Sequence, residues 1–479
     1  MNKQTRIDKI NKLIDSSDPH ATQDIPWDDN LKLMEVYCIP LEYLIYNKYN
    51  GRILSRTKSY ETQYNKIDAE SPKGKDLIAN FLYKSKPKKN AETLESLKKI
   101  GQEKVGIITK DGIIIDGNRR AMLLNRLAPL YDTFKAVILP IEYDGNPLAI
   151  EKFETKYQLG EESKLDYNPT EIYLKIQRLY LGISGTKYPT LAKQEQGIAV
   201  DKKAITQIFE WIGNYKTISS ANDVEYFLRV MNLMDEYLDY LGYDYMYTAL
   251  DDREEQFRSL TEWLRTFYGE NSAKAFDGYS DDDVDDLKLI AFDLIRVKLK
   301  NEKFRHLGRG HKSNHFFGNK NTWDSFYKAH FDITENSNEP AINQKSLDIE
   351  KHLNDRDNAY SESIGKKLTG NVDQHVTKLR NKQSQDEPVK LLNKAIDSID
   401  SININHNNFA QKDAQDLLAN LGNRVFDNMS NKSPSRILDH VVSLLEGIDL
   451  DNIPKNELED VRDMTKKIQQ IGYKINKGL

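Results

Sequence analysis

Lys104–Leu127, KVGIITKDGIIIDGNRRAMLLNRL, is the stretch whose reading decides the fold. Val105–Thr109 and Ile113–Ile115 are β-branched runs of strand type, and the turn pair Asp111-Gly112 between them predicts a hairpin. Asp116-Gly117-Asn118 ends the second strand, and Arg119 opens a helix whose apolar positions are Met122, Leu123 and Leu127. A strand, a glycine turn and a helix start with two arginines bring backbone N–H groups and guanidinium forks to one point. That arrangement suits a phosphate. Spacing alone equally allows a tight turn whose arginines are solvated or paired with carboxylates.

Whole-chain properties narrow the classes. A length of 479 residues favours two or three domains. Hydrophobic residues make up 38% and charged ones 30%, a polar balance that suits a helical, surface-rich protein. The net charge of −5 means that nucleic-acid contact needs a local basic face, because the overall field would repel it. Cys38 is the only cysteine, which excludes an intrachain disulfide framework and a cysteine-rich zinc site. Its context, Tyr37-Cys38-Ile39, predicts a core position. No stretch approaches the roughly 20 apolar residues of a membrane span, and the N-terminus has no apolar signal core. A cytoplasmic protein without membrane contact is expected.

Outward from the central stretch, residues 1–30 read as a polar segment with a short helix at Arg6–Asp15 and a connector at Gln23–Asp29 around Pro26. Residues 31–160 form the first domain. Within it, Lys84–Lys89 reads as a solvated loop, Glu92–Ile100 as a helix, Phe134–Leu139 as a strand closed by Pro140, and Ala149–Gln158 as a helix. Residues 161–220 follow, with a helix over Pro169–Leu181 and a helix-turn-helix pattern over Tyr188–Ile212. There Asp201 caps the second helix, whose stripe is Ala204, Ile205, Ile208, Phe209 and Ile212, leaving Lys202, Lys203, Thr206 and Gln207 as candidate DNA contacts. An ordinary helical hairpin fits the same spacing. Residues 221–335 are helical and contain the basic loop Lys303–Lys320, where Arg309 and Lys312 are further candidate DNA contacts. The acidic run Asp281–Asp286 reads as a helix start rather than a metal cluster. Residues 336–388 are a charged helix with linkers, and 389–479 a C-terminal helical bundle suited to dimerisation or to docking a partner protein.

Asp116-Gly117-Asn118-Arg119-Arg120-Ala121-Met122-Leu123 resembles the Gly-x-Arg-Arg-x-x-Ala box of the ParB/sulfiredoxin-like superfamily, with Leu123 in place of the closing alanine. In register with it, Ile39-Pro40-Leu41 and Asn47–Arg52 resemble the ParB opening strand and its Asn-Pro-x-x-x-Arg segment. Lys164–Glu171, KLDYNPTE, resembles the end of the second ParB motif. The resemblance covers about Val36 to Lys216. It implies an α+β protein: a ParB/sulfiredoxin-like N-terminal domain, then a helix-turn-helix and mostly α-helical C-terminal domains. It also implies a nucleoside triphosphate (CTP, ATP or GTP) with Mg²⁺ at Gly117, Asn118, Arg119 and Arg120, with Arg52 and Lys164 reaching the same phosphates. Asp116 and Glu161 are then the candidate catalytic carboxylates, and Glu161 the candidate metal ligand. Lys164 stands where the family has arginine, a point charge without the bidentate fork. Asn118 stands where sulfiredoxins carry their reactive cysteine, which argues against that chemistry.

The expected function is nucleotide-dependent binding of double-stranded DNA by a homodimer, in which the bound nucleotide changes how two chains close on DNA. Two alternatives stay open. One is an NTPase or nuclease effector of a DNA-modification or antiviral defence system, with nuclease chemistry the weaker half. The other is a structural adaptor that keeps the fold with a degenerate pocket.

Overall fold

The computed structural model describes the chain except for residues 29, 160–167, 214–217, 251, 270, 344–345, 347, 384–387, 431–432 and 456. It divides into two compact units, Met1–Asp386 and Glu387–Leu479.

The first unit opens with α1 (Lys3–Ser16), β1 (Ala21–Trp27), β2 (Asn30–Pro40) and the two-residue β3 (Ile45–Tyr46). Three helices follow: α2 (Leu54–Gln63), α3 (Pro72–Ser85) and α4 (Pro87–Ile100). Then come β4 (Gly106–Ile108), β5 (Ile113–Asp116), α5 (Asn118–Arg126), β6 (Thr133–Ile138) and α6 (Pro147–Leu159). The six strands make one mixed sheet in the order β1-β2-β6-β4-β5-β3. The β4–β5 pair is the hairpin foreseen around Asp111-Gly112, with a register shift between Ile107 and Ile108. Alternation along the strands separates two cores. Ile108 and Ile114 face Ile78, Leu82, Met122 and Leu124 from α3 and α5. Ile107 and Ile115 face Ile25, Val137, Ile150 and Phe153 on the side of α6.

Three local expectations are corrected. Gln23–Asp29 is not a connector, because Ala21–Trp27 pairs antiparallel along β2. Its side chains are mostly exposed, so an edge strand carries the polar pattern of a loop. The polar N-terminal segment also carries a buried contact. Arg6 is 1% exposed, donates from Nε to the Asp111 carbonyl (2.6 Å) and pairs with Glu70 (2.7 Å). The lysine-rich run at 84–89 is the junction of α3 and α4 rather than a free loop. Cys38 is only half-buried.

The rest of the first unit is helical: α7 (Pro169–Ser184), α8 (Leu191–Glu195), α9 (Lys202–Ile212), α10 (Ala221–Tyr240), α11 (Glu254–Phe267), α12 (Asp281–Arg296), α13 (Asn301–Phe304), α14 (Lys320–Thr334), α15 (Ile349–Tyr360) and α16 (Lys366–Gln383). They share one core that includes Tyr237, Phe257, Phe267, Phe292, Phe317 and Trp323. Ser280 and Asp283 form a capping box at the start of α12, which is the role foreseen for that acidic run. The charged stretch 349–383 packs Leu353, Tyr360, Leu368 and Val372 into the same core. A π-helical turn at Ser361–Gly365 joins its two helices.

The second unit holds α17 (Pro388–Asp400), α18 (Lys412–Ser430), α19 (Pro434–Glu446) and α20 (Leu458–Gly478). Each is strongly amphipathic, yet among its described residues none is buried. Leu392, Leu417, Val442 and Ile471 are among the exposed apolar side chains.

The turn into α5 depends on Gly117, at φ +95°, where an added Cβ would lie 2.7 Å from Phe134 Cζ. Gly117→Ala combines a left-handed backbone with that clash. A loss of about 1–3 kcal/mol in folding stability is expected, read by denaturant unfolding.

Candidate functional site

The β5–α5 turn forms one wall of a cavity of about 320 Å³. Asn50 and Arg52 come from the segment before α2, Thr93, Ser96 and Leu97 from α4, Glu103 and Lys104 from the approach to β4, and Asp116–Arg120 from the turn. Of the residues foreseen as nucleotide contacts, Arg52, Gly117, Asn118, Arg119 and Arg120 line this one space. Lys164 and Glu161 lie outside the described residues.

The turn's side chains divide by what they touch. Asn118 is an internal staple: its Oδ1 accepts from the Asn47 N–H (2.9 Å) and its Nδ2 donates to the Ile114 carbonyl (2.8 Å). This ties the arginine-bearing segment to the helix start. That segment is shaped by two side-chain turns, in which Asn47 Oδ1 takes the Tyr49 N–H and Asn50 Oδ1 the Arg52 N–H. Arg120 braces the turn. Its Nη2 pairs with Asp116 (3.0 Å), and its Nη1 bonds the carbonyls of Lys104 and Val105. Asp116 is thus held as the partner of Arg120.

Arg119 is different. It is 8% exposed, and its Nε donates to Asn90 Oδ1 at 2.8 Å. Asn90 is fully buried, and its amide faces one way because Nδ2 donates to the carbonyls of Leu82 and Tyr83. The Arg119 Nη2 is buried without a hydrogen-bond partner. Burial first, then the like charges of Arg52 and Arg120, push this guanidinium down to about 10. A buried donor that repels its neighbours is costly when unmatched and is relieved by an anion. Asn90 had no signal in the sequence beyond being the polar residue that ends a lysine run.

The carboxylates of the described lining are Asp116 and Glu103, and Asp116 already has its cation. Among the described residues, no group of three or more His, Cys, Asp or Glu could hold a metal ion. This donor set fits an anion; Mg²⁺ would fit as the partner of a triphosphate that supplies most of its oxygen ligands.

Behind the cavity lies a buried polar cluster that sequence reading did not single out. Asn50 Nδ2 donates to Glu154 Oε1 (3.2 Å), and Glu154 lies 3.7 Å from the Lys175 ammonium on α7. Ser55 binds Glu171 through its backbone N–H and hydroxyl. Burial pushes the neighbouring Glu151 carboxyl up, while Arg178 pairs with it at 3.2 Å. Further along α7, the Tyr180 hydroxyl accepts the Asp201 N–H, and Asp201 caps α9 through the Ala204 N–H.

In the helix-turn-helix pattern, α8 and α9 flank a turn with Gly197 at φ +86°. Lys203 and Thr206 are exposed and Gln207 half-buried. Lys202 is turned aside to Glu225 at 2.6 Å. Arg309 and Lys312 separate: Arg309 lines a second cavity, while Lys312 pairs with Asp277.

These features define an α+β domain with a guanidinium-lined pocket, followed by a helical region. No family model matches the chain, and no curated protein does. Among solved structures, a Pnob8-like ParB-N domain superposes with a TM-score of 0.33 at 11% identity, covering 56% of this chain and 94% of that one. A likeness of this size carries no argument about fold or activity.

Asn118→Asp replaces the donor to the Ile114 carbonyl by a carboxylate oxygen. The expected loss is about 1–3 kcal/mol in thermal or denaturant unfolding, because a buried acceptor pair cannot share a proton at neutral pH.

Proposed function

We propose that the pocket binds the phosphates of a nucleoside triphosphate, with Arg119 and Arg52 as ligands and the Gly117 turn and α5 N-terminus as the cradle. Occupancy then alters how the chain, as a homodimer, holds double-stranded DNA through α9. The observation that carries this reading is Arg119, whose buried Nη2 has no partner and which lines a cavity together with two other arginines. The motif resemblance supports it independently. In this reading Arg120 and Asn118 position the turn rather than grip the ligand.

A structural adaptor is the second reading, favoured by the internal bonds that occupy Asn118, Arg120 and Asp116. Calorimetric titration with CTP, ATP and GTP in the presence of Mg²⁺ separates the two. One nucleotide should bind, and Arg119→Ala should weaken it about tenfold to a hundredfold, as expected for a lost charge-assisted hydrogen bond. Affinity should change little between neutral pH and about 9, because the guanidinium keeps its proton until about 10. An absence of heat with all three nucleotides leaves the adaptor.

DNA contact is tested separately. Lys203→Glu should weaken duplex binding and lower the slope of log affinity against log salt by about 1. An unchanged slope in a fluorescence titration rejects α9 as the contact.

A further inference from the structure

The helical region has a second cavity, of about 420 Å³, between α10, α11 and the loop after α13. Its lining includes Arg258, Lys274, Arg309, Glu255 and Glu262 over the aromatic base of Trp263 and Phe267. The charges are unevenly matched. Glu255 is engaged by Arg305 at 2.8 Å and Glu262 by Arg265 at 3.3 Å, and neither arginine lines the cavity. Arg258 lies 3.7 Å from Glu254 and its Nε donates to the Tyr226 hydroxyl. Among the described residues, the Lys274 ammonium and the Arg309 guanidinium pair with no carboxylate, and both are exposed at the rim. Both acids are therefore paired to arginines outside the lining while Lys274 and Arg309 are exposed without such a partner, in a chain whose net charge is −5.

The loop is shaped for this. An added Cβ at Gly308 would lie 2.9 Å from the Trp263 ring, so the backbone rests directly on the indole. Gly310, at φ +97°, turns the chain back, leaving Arg309 at the apex between two glycines. Phe304 stacks on Trp263 at 5.2 Å, so the indole is held as a fixed base rather than a free stacking face. That favours a compact anion over a stacked base.

We propose that this cavity is a second anion site, which takes a phosphate ester at Arg309 and Lys274. It is separate from the Arg119 pocket and does not depend on that pocket binding nucleotide. The phosphate can come from a nucleic-acid backbone or from a free phosphorylated molecule, and the test has an arm for each.

The full-length protein is compared with Lys274→Glu/Arg309→Glu, with Arg309→Lys, and with Lys12→Glu/Lys32→Glu, at exposed positions of α1 and β2, as a charge-matched control. In the first arm a short labelled duplex and a single strand are titrated at several salt concentrations. A loss of about tenfold or more in the double variant, with a salt slope lower by about 2 and the control near wild type, assigns a nucleic-acid backbone. In the second arm inorganic pyrophosphate is titrated by calorimetry. A binding event lost in the double variant and retained by Arg309→Lys, with unaltered DNA binding, assigns a free phosphorylated ligand. If the double variant keeps a wild-type melting curve and matches wild type with all three probes, the proposal is overturned. If the double variant melts early, the single Arg309→Lys and Arg309→Gln variants decide: Gln must lose what Lys keeps, and equal behaviour overturns it. Failure of the Arg119 pocket to bind nucleotide would leave each of these outcomes readable.

Discussion

The ring of Phe134 lies across two glycines, and the geometry of the pocket follows from that contact. A Cβ at Gly106 would lie 2.2 Å from the ring, and one at Gly117 2.7 Å. Phe134 is wholly buried on β6, so β4 and the β5–α5 turn meet the same rigid surface. Glycine at these two positions lets the backbone come close, and the left-handed turn at Gly117 then aims α5 so that its first turn opens toward α4. Leu123, the residue that departs from the family box, is fully buried among the side chains that anchor this helix. Leucine there adds an apolar side chain to that buried packing.

Electrostatics completes what packing begins. Three arginines converge on one cavity, and one of them is buried with a nitrogen unmatched. Arg120 is neutralised locally by Asp116, which leaves the unmatched nitrogen at Arg119. Within this crowding, Asn90 holds Arg119 in place through its side-chain oxygen. The helical region handles its buried charges differently. Arg253 and Arg296 share Asp357, and Arg296 and Arg356 share Glu339, so each of the three cations meets a carboxylate. The contrast separates a charge cluster whose arginines all meet carboxylates from one in which the buried Arg119 meets none among the described residues.

Much of the centre of the fold was legible in the chain. The two β-branched runs around Asp111-Gly112 become a hairpin, and Asp-Gly-Asn-Arg-Arg becomes a turn and helix start, because both signals are local. The identity of the pocket's other residues was not. Asn90 meets Arg119 across a separation that no local period encodes, and Asn50 reaches Glu154 across more than a hundred positions. The strand Ala21–Trp27 was missed because an edge strand with exposed side chains has no apolar alternation to read. Arg6 was missed because a buried arginine has the same letter as a solvated one. The helices of the second unit were read as a small bundle, and none of its described residues is buried; what covers their apolar faces is not encoded in their own periodicity.

The Asn118 staple has a mechanical consequence. One amide joins the first residue of α5 to the segment that carries Asn50 and Arg52, and Asn50 touches Glu154, which faces Lys175 on α7. The same helix, through Tyr180, holds the cap of α9. Any shift of Arg52 relative to Arg119 therefore loads this one amide and, through Asn50 and Glu154, the helix whose Tyr180 meets the α9 cap, much as a rope made fast at both ends takes up slack wherever it is gripped.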